Sequence, residues 1–331
     1  MRVGLIDVDS HNFPNLALMK ISAWHKAQGD DVEWWFGFSQ YDRVYMSKVF
    51  DNTYTPDVYE PVNTKEIAKG GTGYFKRNRD GTAEVFVYGR WIDIGTQSSY
   101  QYGNAVYTEV LPDEIEHMYP DYSLYPELTK DTAYGFLSRG CPRGCPFCIV
   151  EAKEGRRSYK VADLSEWWNG QKNIVLCDPN ILACREHMDL LGQLAYSKAW
   201  VEINQGVDAR MLTPENVDAL NRVKIKEIHF AWDLMNQSDA VIKGLKLYSE
   251  ICRRKPHGNF GTVYVLTNFN TTMEENLYRV YTLRDMGYDP YIMIYDKPHA
   301  PREVKLLARW CNNKPIFKST ERFEDYDPRR G

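Results

Sequence analysis

Apolar, β-favouring residues run almost unbroken from Met1 to Val8, as in a parallel strand buried on both faces. Asp9-Ser10-His11-Asn12-Phe13-Pro14 breaks the run. Leu16, Leu18, Met19, Ala23 and Ala27 then recur near helical spacing, and Gly29 stands where a helix would stop. Short strands are predicted at Val32 to Phe36 and Arg43 to Phe50, a tight loop at Gly70 to Tyr74, and a hairpin over Ala83 to Ile94 turning near Gly89. This order of strand, helix, strand, strand describes a small Rossmann-like α/β sheet. Pro112, Pro120 and Pro126, set among acidic and aromatic residues, mark Leu111 to Lys130 as a linker or an extended wrap between two bodies.

Beyond it the rhythm changes. Strands are predicted at Thr132 to Leu137, Asn173 to Leu176, Ala199 to Asn204, Glu227 to Trp232, Val263 to Thr267 and Tyr291 to Ile294. Helical patterns separate them at Met188 to Ser197, Pro214 to Arg222, Ala240 to Cys252, Glu274 to Met286 and Arg302 to Cys311. Six alternating units with right-handed crossovers describe a partial (β/α)6 TIM-like barrel, although the alternation fits a flat sheet too. The expected domains are a small α/β domain over 1–110, a linker over 111–130 and the partial barrel with a tail over 131–331.

The 331 residues suit about two domains. Hydrophobic residues make up 43% and charged residues 26%, which excludes a disordered or collagen-like chain. No apolar run approaches the ~18 to 20 residues of a membrane-crossing helix. Val3 to Ile6 is too short for a signal-peptide core, so the expectation is a cytoplasmic protein translated from its own start, with no membrane partner. A formal net charge of -4 gives no overall field drawing the chain onto nucleic acid.

Three of the seven cysteines fall within eight residues, Cys141-Pro-Arg-Gly-Cys145-Pro-Phe-Cys148, and the others are Cys177, Cys184, Cys252 and Cys311. An odd number without a secretory signal argues for a metal site over a disulfide framework. Three thiolates are one short of a closed tetrahedral site. A structural zinc would need a fourth ligand, for which Cys177, Cys184 and His187 are eligible. A cubane iron-sulfur cluster would keep one iron open to a small molecule. The loop lies just after the first strand of the predicted barrel, at the end where such barrels carry their chemistry.

With Phe147 before its last ligand, this Cys-x3-Cys-x-aromatic-Cys loop resembles that of the radical S-adenosylmethionine superfamily, over about Thr132 to Ile316. The resemblance implies one 4Fe-4S cluster on Cys141, Cys145 and Cys148, whose open iron binds the amino and carboxylate groups of S-adenosyl-L-methionine. It implies reductive cleavage to a 5'-deoxyadenosyl radical that abstracts hydrogen from an unidentified substrate. An external one-electron reductant of flavodoxin or ferredoxin type is implied with it. By position at the strand ends, the cofactor contacts implied are Phe147, Asp178, Asn180, Asn204, Gln205, Asp208, Arg210, Trp232 and Asn268. Leu176-Cys177-Asp178 replaces the family's frequent Gly-Gly-Glu. Without the family, Asp178 and Asn180 are equally helix-capping or turn residues beside Pro179, and Arg210 equally pairs with Asp208. Lys153, Arg156, Arg157 and Lys160 suit either an anionic substrate or a solvated loop.

The first hundred residues resemble the cobalamin-binding domain that precedes the barrel in relatives. Asp9-Ser10-His11 matches the start of its Asp-x-His-x-x-Gly motif, but Pro14 occupies the Gly position. Ser47 and Gly70-Gly71 fall near its Ser and Gly-Gly signals. The reading favours a domain that kept the fold and lost cobalamin. The alternatives are a cobalamin-dependent methyltransferase and a non-catalytic zinc-binding module. Since no cysteine precedes Cys141, a second cluster of the methylthiotransferase kind is not expected.

Overall fold

A computed structural model describes residues 1–50, 54–255 and 258–329. They form two compact units. The first comprises Met1–Gly135, Cys148–Arg156 and Ala162–Gln171, and the second comprises Phe136–Phe147, Arg157–Val161 and the residues from Lys172 onward.

In the first unit, β1 (Arg2–Asp7) leads into α1 (Leu16–Ala27), followed by β2 (Asp31–Trp34), β3 (Tyr41–Ser47) and β4 (Thr64–Gly70). The Asn15 side chain caps α1 by accepting from the Leu18 N–H, and Gly29, at φ +80°, ends it. β5 (Phe75–Arg77), β6 (Ala83–Val87) and β7 (Arg90–Asp93) make a small antiparallel sheet. The predicted hairpin joins β6 to β7 through Tyr88 and Gly89, both at positive φ, as a two-residue turn requires. β8 (Ser99–Tyr102) and β9 (Ala105–Thr108) complete the main sheet in the order β2-β1-β3-β4-β9-β8, parallel except for β8.

The segment expected as a linker is part of this unit. It carries α2 (Asp113–Glu116) and α3 (Pro126–Thr129), and Ile115 is buried in one cluster with Val3, Leu5, Leu18 and Ile21. Asp121 accepts from Ser22 Oγ and Lys26 Nζ of α1, each at 2.6 Å. Prolines there shape a packed wrap, because these long-range contacts hold it down. β10 (Thr132–Gly135) and α4 (Val150–Glu154) belong to the same unit.

The second unit opens with the short strand β11 (Ser138–Arg139), paired antiparallel with β12 (Tyr159–Lys160). Then follow β13 (Asn173–Leu176), α5 (His187–Ser197), β14 (Trp200–Val207), α6 (Pro214–Arg222), β15 (Lys224–Ala231), α7 (Ser238–Ile251), β16 (Thr262–Thr267), α8 (Met273–Asp285), β17 (Asp289–Ile294), α9 (Arg302–Asn312) and α10 (Lys314–Ser319). Capping boxes at Thr213 with Asn216 and at Thr272 with Glu275 start α6 and α8.

Strands β13 to β17 lie side by side in chain order and are all parallel. Right-handed crossovers in an unreversed order carry successive helices to one face. The buried Val201, Ile203, Ile228, Phe230, Val263, Val265 and Ile292 point to that face. The residues alternating with them, Glu202, Glu227, His229, Tyr264, Tyr291 and Met293, point to the other. The expectation of a mixed α/β protein with parallel sheets holds.

Candidate metal and cofactor site

The backbone ahead of the cysteines is pinned on two sides. The β11–β12 pairing holds one, and the Asp178 carboxylate just beyond β13 holds the other. It accepts from Leu137 N and Ser138 N, both at 2.7 Å, and from Ser138 Oγ at 2.5 Å. Asp178 is fully buried, and burial pushes its pKa up to about 7 against the pull of these donors. It was expected to contact the cofactor. Its lone pairs are instead committed to the strand that leads into the cysteine loop.

Within the loop, Gly140 and Gly144 take positive φ, so each turns the chain as few other residues could. Cys141 and Cys145 are half-buried thiols. Asn180 Nδ2 stands 3.6 Å from Cys141 Sγ and 3.9 Å from Met211 Sδ, while Asn180 Oδ1 is buried and among the described residues has no hydrogen-bond partner. An orphaned buried acceptor beside a cysteine is unusual in a folded chain and suits a donor brought in from outside.

Arg143, between the two cysteines, is ion-paired with Asp208 at the end of β14. Burial works against the Asp208 charge, but hydrogen bonds from Arg210 and the nearby Arg143 overrule it and hold its pKa below the usual range. Arg210 places Nε 2.7 Å and Nη2 3.0 Å from Asp208, and its Nη1 lies 2.5 Å from Gln237 Oε1. Its fork was expected to meet a cofactor carboxylate. In this structure the fork is paired with Asp208 and Gln237. Cys145 and Asp233 lie near enough for their charges to stabilise the guanidinium.

Phe147 meets Phe269 edge-on at 5.3 Å, and Phe269 meets Tyr295 at 4.9 Å. The loop from Cys141 to Phe147 therefore spans the carboxyl ends of β13, β14, β16 and β17. Cys148 lies in the first unit, where its carbonyl accepts from Arg79 Nη2 at 3.4 Å. In the same unit, Glu151 pairs with Arg79 and Arg156, and Lys153 donates to Thr72 Oγ1.

The remaining predicted contacts separate from this loop. Trp232 is fully buried and donates to Ser238 Oγ, so it is a packing residue. Asn268, at φ +61°, spends its amide on the Tyr295 carbonyl. Asn204 and Gln205 line a cavity on the inner face of the sheet. Two residues outside the predicted set belong to the strand ends. Asp233 follows β15, burial lifts its pKa to about 6 against Arg279 and Arg210, and among the described residues its carboxylate makes no hydrogen bond. Arg279 is wholly buried and donates to the Trp232, Asp233 and Leu266 carbonyls at 2.7 to 3.0 Å, tying the ends of β15 and β16 together.

The fit to the implied groups differs. The chemistry of the donor set suits a thiolate-held cluster, and the orphaned Asn180 oxygen suits a small polar ligand beside it. Among the described residues, no three His, Cys, Asp or Glu side chains are gathered in a group that could hold a metal ion. The supplementary zinc ligands are engaged elsewhere. Cys184 donates to Glu186 Oε2 at 3.2 Å, with burial pushing its pKa up to about 11, His187 Nδ1 lies 2.7 Å from the Cys184 carbonyl, and Cys177 is buried.

The first unit fits cobalamin poorly. His11 is exposed, Asp9 accepts from Val49 N and Phe50 N, and Ser47 Oγ accepts from Asn15 Nδ2. A side chain at Gly71 would overlap the Lys48 carbonyl, so this glycine serves close backbone packing. Among the described residues no helix is long and apolar enough to cross a membrane. Compared with family models and with curated proteins, the chain matches none.

Proposed function

We propose that the chain is a radical S-adenosylmethionine enzyme, with Cys141, Cys145 and Cys148 as thiolate ligands of one 4Fe-4S cluster on a partial (β/α)6 barrel. The observation that carries this reading is the seat of the cysteine loop over the strand ends, with Cys141 Sγ 3.6 Å from Asn180 and Arg143 paired to Asp208. The consecutive parallel order of β13 to β17 supports the barrel, since an arc of a barrel wall winds without reversal. When bound, the cluster supplies the electron that splits the cofactor sulfonium and so starts hydrogen abstraction.

The chain's own residues set the stage. Asp178 fixes the strand before the loop, Asn180 Oδ1 offers an acceptor to the cofactor's amine, and Asp233 offers a second carboxylate at the strand ends. Arg143 and Arg210 neutralise Asp208, which keeps one negative charge away from a site that must hold three thiolates. The reading assigns no cobalamin to the first unit and takes the electron from a flavodoxin- or ferredoxin-type donor.

Anaerobic reconstitution tests it. The expected result is about four iron and four sulfide per chain, with 5'-deoxyadenosine released on adding dithionite and S-adenosylmethionine. Replacing Cys141, Cys145 or Cys148 by Ala abolishes iron retention, whereas Cys252→Ala and Cys311→Ala retain it. Zinc without iron, or a loaded protein that releases no 5'-deoxyadenosine, overturns the reading.

A further inference from the structure

The inner face of the second unit's sheet borders a cavity of about 600 Å3. That volume falls in the range of organic-ligand pockets, about 300–1,000 Å3. A parallel sheet ordinarily carries apolar residues on both faces. Here the wall is polar and aromatic, and Glu227 and His229 stand 3.8 Å apart on it.

His229 Nδ1 stands 2.9 Å from the Ile203 carbonyl, so that nitrogen carries a proton. The other ring nitrogen, Nε2, lies 3.8 Å from Glu227 Oε1, beyond hydrogen-bond distance. Among the described residues Glu227 makes no hydrogen bond and has no closer ionic partner. With the imidazole neutral, a carboxylate and a ring nitrogen thus stand side by side as acceptors. Beside them, the Tyr264 ring lies parallel to the imidazole at 5.1 Å and meets Tyr291 edge-on at 5.9 Å. The Tyr264 hydroxyl is spent on the Asn204 carbonyl at 3.2 Å, which fixes the ring's orientation.

We propose that this cavity binds a small organic ammonium ligand, its protonated amine shared by Glu227 and His229 and its body resting on Tyr264 and Tyr291. An ammonium brings three donors to a pair of acceptors, and aromatic rings add attraction for a cation. An anion of the same size meets the Glu227 carboxylate on this wall, where the cavity's other charged lining residues are Lys314, paired with Asp289, and Lys318. Binding here requires no metal and no nucleotide, so it stands or falls apart from the cysteine loop.

Isothermal titration of the full chain with tyramine and with 4-hydroxyphenylacetate, one ring with opposite charges, tests it. Tyramine is expected to bind about tenfold or more tightly than the acid, and Glu227→Gln to weaken tyramine by about tenfold or more with an unchanged circular dichroism spectrum. Equal affinity for the two probes, no binding of tyramine at millimolar concentration, or an unaltered affinity in a folded Glu227→Gln protein overturns the proposal. The comparison of probes on the unaltered chain decides the matter even where the variant fails to fold.

Discussion

Asp178→Asn removes one charge from a buried position and keeps its shape. Three donors end on the native carboxylate, two of them the backbone N–H groups of Leu137 and Ser138. An amide offers a single oxygen, so one buried N–H then faces an NH2 group. Losing charge assistance, where the carboxyl is ionised, and orphaning a donor each cost about 1–3 kcal/mol, or about 2–6 kcal/mol together. Burial gives the same residue a pH signature. Its pKa is raised to about 7 from the ordinary 3.8, so the folded chain binds this proton more tightly than the unfolded chain does. The associated stability is fully present below the unfolded value and declines as pH rises from about 4 to 7, at no more than about 1.4 kcal/mol per pH unit. Between pH 5 and pH 7 the decline amounts to about 2 kcal/mol. Hydrogen exchange of the Leu137 and Ser138 amides, corrected for intrinsic rates, reads both effects. Protection in the native chain falls across that interval, whereas in Asp178→Asn it is weaker throughout and lacks this slope. Equal protection and an equal slope in the two proteins would refute the assignment of Asp178 as the anchor of the cysteine loop.

Two further substitutions probe the packing that supports the strand ends. A Cβ at Gly244 of α7 would overlap the Ala209 carbonyl beside Arg210, so Gly244→Ala is expected to destabilise by about 1–3 kcal/mol; an unchanged melting temperature would mean that the turn yields freely. Arg279→Met leaves the Trp232, Asp233 and Leu266 carbonyls without their donor, with an expected loss of about 3–5 kcal/mol in urea unfolding. A loss within experimental error there would show that water or neighbouring groups replace the guanidinium.

Local signals carried much of the architecture. Period-two and period-3.6 patterns located β13 to β17 and the helices between them to within a few residues, because each element buries one face of its own. The cysteine spacing is local as well. What failed to be legible depends on partners far along the chain. Asp178 looks like a turn residue or a ligand until Leu137 and Ser138, 40 and more positions earlier, are brought against it. Arg210 next to Asp208 reads equally as an open clamp or a closed pair, and the structure closes it. Leu111 to Lys130 has the prolines of a linker, but Ile115 and Asp121 find partners on and around α1. One missed feature did leave a trace. Glu202, Glu227, His229, Tyr264, Tyr291 and Met293 alternate with buried aliphatic residues in strands read as parallel, a pattern at odds with burial on both faces.

That alternation constrains what the sheet can do. With the crossovers drawn to one face, the other must meet water, protein or ligand. Packing against further protein would favour aliphatic residues there, since a buried carboxylate without a donor is strongly disfavoured. Plain exposure to water would give no reason for His229, Tyr264 and Tyr291 to be held in fixed ring geometry, each oriented by a neighbour. A wall whose rings are locked, while among the described residues Glu227 makes no hydrogen bond, suits the proposed guest, which supplies donors. The cysteine loop sits at the carboxyl ends of the same strands, so under the function and ligand proposed above one sheet would carry both sites. Along one sheet the separation of Glu227 and His229 from the Cys141–Phe147 segment is set by strand length and register, and the proposed chemistry would gain from such fixed spacing.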